Sequence, residues 1–131
     1  MRKVIRPSEA PRPRGPYSPA IVADGFVFVA GQGPVNPKTN ELELSDIKGE
    51  TRRTLENVRA ILEAAGSSLR EVVRVGVFLS DMKDFDGMNE VYQEFFPKDQ
   101  PARTTVGAQL PKIKVEIDCI ARVRKPPKRK P

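Results

Sequence analysis

A chain of 131 residues, 38% apolar and 31% charged, has room for one hydrophobic core and not for two. It contains no histidine and one cysteine, Cys119, which excludes Ser–His and Cys–His nucleophile pairs, histidine zinc motifs, an internal disulfide and any multi-cysteine metal centre. The net charge of +6 belongs to the ends, with +4 on residues 1–14 and +5 on residues 124–131, so the body from 15 to 123 carries −3 and no basic face for nucleic acid is expected there.

No apolar run approaches the length of a membrane span, and the N-terminus lacks a signal-peptide pattern, so the cytoplasm is the expected location. The chain divides into a basic, proline-rich segment 1–14 with a possible short strand at Val4–Ile5, a single domain over 15–123, and a tail 124–131. Three prolines and no apolar anchor predict that the tail is disordered. Ile21-Val22-Ala23 and Phe26 to Ala30 flank Asp24-Gly25, a two-residue signature of a tight hairpin. A turn-rich stretch with Pro34, Asn36, Pro37 and Asn40 follows.

Ser45 or Asp46 can cap a first helix whose stripe is Thr51, Leu55, Val58, Ile61, Leu62 and Ala65, and Gly66 can stop it. Val73, Val75, Val77 and Leu79 alternate as a strand with one buried face. A second helix runs from about Asp84 to Phe96, with Phe85, Met88, Tyr92, Phe95 and Phe96 as its stripe and Pro97 as its end. Residues 102–107 form a short strand. In the last strand Val115, Ile117, Cys119, Ala121 and Val123 face one way and Glu116, Asp118, Ile120 and Arg122 the other. The expected class is α+β, a mixed sheet with two long helices on one face. The other face mixes Glu116 and Asp118 with Phe78 and Ile120, which suggests that partner subunits cover it.

Without histidine, chemistry falls to carboxylates, arginine, tyrosine, hydroxyls and backbone. Arg103, after Pro101, has a planar fork suited to a carboxylate, and the alternative is a solvated strand arginine. Glu116 is either a group that holds or deprotonates water or an ordinary outward glutamate. Gly15-Pro16-Tyr17-Ser18 and Ala30-Gly31-Gln32 place glycines beside strands, where a backbone N–H can approach a ligand and the Tyr17 phenol can form a wall; plain turns are the alternative. Asn57 and Asn89 interrupt helices; Asn57 is read as an amide bonding a neighbouring loop, and Cys119 as a buried, inert thiol.

Taken in order, these pieces resemble the Rid/YjgF (reactive intermediate deaminase) family. The matching stretches are Gly15-Pro16-Tyr17-Ser18, Gly31-Gln32 with Pro34-Val35-Asn36-Pro37, and Thr54-Leu55-Glu56-Asn57-Val58. Asp84-Phe85 with Asn89-Glu90-Val91-Tyr92, Pro101-Ala102-Arg103-Thr104-Thr105-Val106 and Val115-Glu116-Ile117 complete the set. The resemblance implies a chorismate-mutase-like subunit, a homotrimer with its sites in clefts between neighbours, and no cofactor or metal. It implies hydrolysis of enamine/imine intermediates (2-aminoacrylate in its 2-iminopropionate form, and 2-iminobutanoate) to 2-oxo acids and ammonia. In that picture Arg103 grips the substrate carboxylate with help from the Gly31 N–H, Glu116 positions or activates water, and Tyr17 and Asn89 line the pocket. Ala30 departs from the hydroxyl residue frequent before Gly31-Gln32, which removes a hydrogen-bonding group and bears on rate and substrate preference. Two rival readings are an RNA-binding, endoribonuclease or translation-inhibitor role, and a non-catalytic sensor of 2-oxo acids.

Overall fold

A computed structural model describes residues 1–125. Strand β1 (Lys3–Ile5) pairs antiparallel with β2 (Ala20–Ala23), and the intervening chain returns Ile5 and Ala10 to the core, 5% and 2% exposed. The basic N-terminal stretch is thus built into the folded unit. Asp24 and Gly25 both take positive φ, 52° and 81°, the left-handed pair that lets a two-residue turn follow the twist of its strands; it joins β2 to β3 (Phe26–Gln32).

Helix α1 (Ile47–Ala64) begins at Asp46, whose carboxylate accepts the Gly49 N–H at 2.8 Å. Such a cap stabilises a helix by about 1 kcal/mol. Its buried face includes Leu55, Val58, Ile61 and Leu62, and the chain leaves it at Gly66 with φ 83°. Strand β4 (Val72–Leu79) follows, then α2 (Phe85–Phe95), β5 (Ala102–Gly107) and β6 (Val115–Arg122). The sheet order is β1-β2-β3-β6-β4-β5, antiparallel throughout except for the parallel pair β4–β5.

The α+β class with two helices against a mixed sheet is what the periodicities predicted. Val27, Val29, Val75, Val77, Leu79, Val115 and Ile117 point from the sheet into the core, each 4% exposed or less. On the opposite face Phe28 and Val106 stay 45% and 42% exposed.

Two seats differ from expectation. Val73 is exposed, because β4 carries an extra residue between Val72 and Arg74 against Ala121 and Ile120 of β6; this bulge turns Val72 inward instead. Phe85, at the first position of α2, is 37% exposed beyond the rim of the core. At the C-terminus Arg124 pairs with Glu71 at 2.9 Å, and the N–H groups of Arg124 and Lys125 reach the Gly66 carbonyl at 3.1 and 3.2 Å. Beyond Lys125 the disorder expected of the tail lies outside the described residues.

Candidate functional site

Glu116 stands second in β6 with its side chain on the sheet face away from the helices, opposite Phe78 of β4. On its other flank β3 is irregular. Val29 pairs with Cys119 and Gln32 with Ile117, so Ala30 and Gly31 together oppose the single residue Asp118. The bulge brings the Gly31 backbone against the Glu116 carboxylate. A Cβ on residue 31 would collide with the carboxylate oxygen and lie 2.9 Å from Glu116 Cδ. A side chain at this position would have to push the Glu116 carboxylate aside.

Gly31 and Glu116 line a cavity of about 370 Å³ together with Tyr17, Gly33, Lys112 and Ile113. The Tyr17 ring folds back over Gly15, and its phenol oxygen accepts the Arg14 N–H at 3.2 Å. Arg12 and Arg14 join Lys112 as the cations of the lining, while Pro11, Pro19, Val35 and Leu42 make it largely apolar. Partial burial in this setting raises the Glu116 pKa above its ordinary 4.5, and the like charge of Asp118, two residues on along the same face, raises it further. A carboxylate with a raised pKa is a better proton acceptor than an ordinary glutamate.

Arg103 lies elsewhere. Its register partner on β4 is Val75, which points into the core, and its guanidinium sits on the helix side of the sheet over α2. The guanidinium carbon is 4.6 Å from the centroid of the Tyr92 ring and 5.7 Å from that of Phe85. Among the described residues no carboxylate pairs with it. Asn89 follows Phe85 by four positions and precedes Tyr92 by three, so it shares the helix face over which the guanidinium lies. The Tyr92 hydroxyl is buried and makes no hydrogen bond of good geometry; burial raises its pKa, and the charge and N–H groups of the nearby Arg103 guanidinium partly offset this.

The residues expected to form a site therefore fall into two separate groups within one chain. Tyr17, Gly31 and Glu116 line one cavity, whereas Arg103 lies over the rings of α2, on the helix face that Asn89 shares. Glu116 is level with Phe78 and Val106, three residues along β5 from Arg103 and two strands away. Strand geometry makes that about 10 Å along and about 10 Å across, with the side chains on opposite faces.

Several contributors escaped the reading of the sequence. Phe85 and Tyr92 counted only as core stripe, although their seven-residue spacing puts two rings in line to carry a cation. Asp118 was placed on the Glu116 face without its electrostatic effect, and Lys112 and Ile113 carried no signal. Cys119 is buried as expected, and burial pushes its thiol up to about 12. The Asn57 amide bonds a loop as expected, at the carbonyls of Gly33 and Val35.

Residues 7–123 match the family model described as endoribonuclease L-PSP. A RutC family protein of Pyrococcus horikoshii is 54% identical over 123 residues, covering 92% of this chain and 98% of its own. A protein of Dermatophagoides farinae named 2-iminobutanoate/2-iminopropanoate deaminase is 40% identical over 121 residues, covering 91% and 94%. Among solved structures, that of Escherichia coli TdcF with bound serine superposes with a TM-score of 0.87 at 40% identity, over 94% of this chain and 99% of that one.

Proposed function

The chain belongs to the Rid/YjgF family, which its model describes as endoribonuclease L-PSP, and on that premise we propose that it hydrolyses imines of 2-amino acids to 2-oxo acids and ammonia. The observation that carries the reading is the pairing of an unmatched cation with a raised carboxylate. Arg103 is seated on aromatic rings with no carboxylate partner among the described residues, and Glu116 is half-buried against Gly31. A 2-imino acid offers a carboxylate to the first and an electrophilic carbon to water held by the second.

The two groups face opposite sides of one sheet, so a common substrate needs Arg103 from one copy and Glu116 from another. The exposed Phe28 and Val106 give copies an apolar face to share, and we assign the assembly as a trimer. In the resulting cleft the guanidinium fork binds the carboxylate and fixes the substrate relative to the water. Glu116 accepts a proton as the water oxygen bonds to C2. The tetrahedral adduct takes that proton on nitrogen, and its hydroxyl proton then follows through the same carboxylate, so the C–N bond breaks with nitrogen leaving as ammonia while the C2 carbonyl forms. An imine is already a strong electrophile, and this sequence consumes one water and needs no redox partner. Tyr17 and Asn89 wall the cleft from its two sides.

The test is a coupled assay that generates imines from several amino acids and follows their loss, with Arg103→Ala as the control. Turnover absent from the parent on every imine would overturn the reading. A second reading, an endoribonuclease, is favoured by one observation: Arg12, Arg14 and Lys112 border the Glu116 cavity and could engage phosphates. Salt-sensitive RNA cleavage lost in Glu116→Gln would promote it.

A further inference from the structure

Glu50, in the first turn of α1, is wholly buried. Its carboxylate accepts the Lys114 N–H at 2.8 Å on one oxygen and the Ser45 N–H at 3.2 Å on the other, and the Lys114 ammonium stands 3.6 Å away. Two turns along the same helix face is Asn57, also wholly buried. Its amide donates to the carbonyls of Gly33 at 3.1 Å and Val35 at 2.8 Å, while its oxygen accepts from Arg53 at 3.1 Å. An apolar residue in either place would fill the space without taking polar groups out of water. It would not hold backbone groups that arrive from distant parts of the chain.

Two of those groups, the carbonyls of Gly33 and Val35, belong to a wall of the Glu116 cavity, and a third, the Lys114 N–H, directly follows the wall residues Lys112 and Ile113. Gly33 and Val35 form one side, Lys112 and Ile113 another, and the sides meet: a Cβ on Gly33 would lie 3.1 Å from the end of Ile113. Lys114 also leads directly into β6, so its bond to Glu50 anchors the backbone two residues ahead of Glu116.

We infer that Glu50 and Asn57 are positioning residues, which set the spacing of the cavity walls from the buried side and thereby select the substrate side chains that fit beside Glu116. The inference rests on Glu116 serving imine hydrolysis, and it adds a determinant of specificity that touches no substrate. A residue that merely supported the fold would scale turnover of all imines together. A positioning residue changes their ratio.

The experiment compares the parent with Glu50→Gln and Asn57→Asp, each close to isosteric but with hydrogen-bonding polarity reversed at one atom. Backbone hydrogen exchange, read by mass spectrometry, should rise by about tenfold in the segments around 33–36 and 111–114 and stay at the parent level in β4, as expected for loss of one buried charge-assisted or amide bond. The ratio of kcat/KM for 2-iminopropionate to that for a branched-chain imine should shift by at least about fivefold, chiefly through KM. Parent-like exchange in both wall segments, or an unchanged ratio in an active variant, overturns the inference. If exchange rises throughout Glu50→Gln because the fold fails, Arg53→Met decides, since it removes only the bond orienting the Asn57 amide; it should speed exchange around 33–36 alone. A parent inactive on every imine defeats the functional reading, and the exchange measurement still determines whether the walls are held as inferred.

Discussion

The Arg103 guanidinium rests 4.6 Å from the Tyr92 ring on the helix side of the sheet, with the sheet itself between it and the Glu116 carboxylate. A ring beneath a planar cation restricts its tilt and leaves its edge, the side that carries the N–H fork, free to meet a carboxylate.

Arg103→Ala should therefore act on substrate binding. Loss of a charge-assisted bidentate contact costs on the order of 2–4 kcal/mol, a fall in kcat/KM of roughly thirtyfold to thousandfold. Arg103→Lys keeps the charge without the fork and should fall between alanine and the parent. Steady-state kinetics on 2-iminopropionate, with folding checked by circular dichroism, measure both. A well-folded alanine variant equal to the parent would remove Arg103 from the site.

Separation of the two groups predicts complementation. Arg103→Ala and Glu116→Gln chains, each impaired alone, should regain activity when coexpressed or refolded together, because some clefts then receive both intact groups. In a cyclic trimer mixed at random in equal amounts, about a quarter of the clefts are whole. Recovery near zero, with mixed trimers confirmed by native mass spectrometry, would place both groups of a working site in one chain.

Glu116 should leave a signature in pH. Its folded pKa is raised, so the activity that depends on its ionised form declines on the acid side at a pH above the ordinary 4.5. Asp118→Asn removes the smaller cause of that shift and should move the acid limb downward without returning it to 4.5, because burial remains. Stability follows with a definite sign. The folded chain holds this proton more tightly than the unfolded chain, which favours folding in acid and is lost as pH rises through the folded value. Glu116→Gln should thus melt above the parent at neutral pH, and the gap should close as pH falls to 4.5.

Gly31→Ala tests the close approach at the β3 bulge. The new methyl would displace the carboxylate end of Glu116, a flexible group, so the fold should survive while the carboxylate loses its place. Misplacement of a reacting group by about 1 Å costs on the order of a hundredfold in rate. The loss should appear in kcat, and a melting curve close to that of the parent would separate it from unfolding.

Local chemistry made much of this fold legible. Asp24-Gly25 announced the hairpin, Asp46 and Gly66 bracketed α1, and the alternation in β6 put Glu116 and Cys119 on the correct faces. Val73 went astray because a bulge breaks strand parity without changing composition. The face of Arg103 was equally hidden: in Arg103-Thr104-Thr105-Val106 no apolar alternation marks a side, and only pairing with Val75 settles it. Glu50 passed unnoticed because one of its partners, Lys114, lies 64 residues away, and nothing in a helical glutamate foretells that it will be sealed from water.

Because Arg103 and Glu116 look away from each other, each chain in the proposed ring would lend to one neighbour and borrow from the other. Inherited damage would then be graded by kind. With one sound and one faulty gene copy expressed equally, loss of either group alone would leave about half of the clefts working, whereas loss of both from the faulty copy would leave about a quarter.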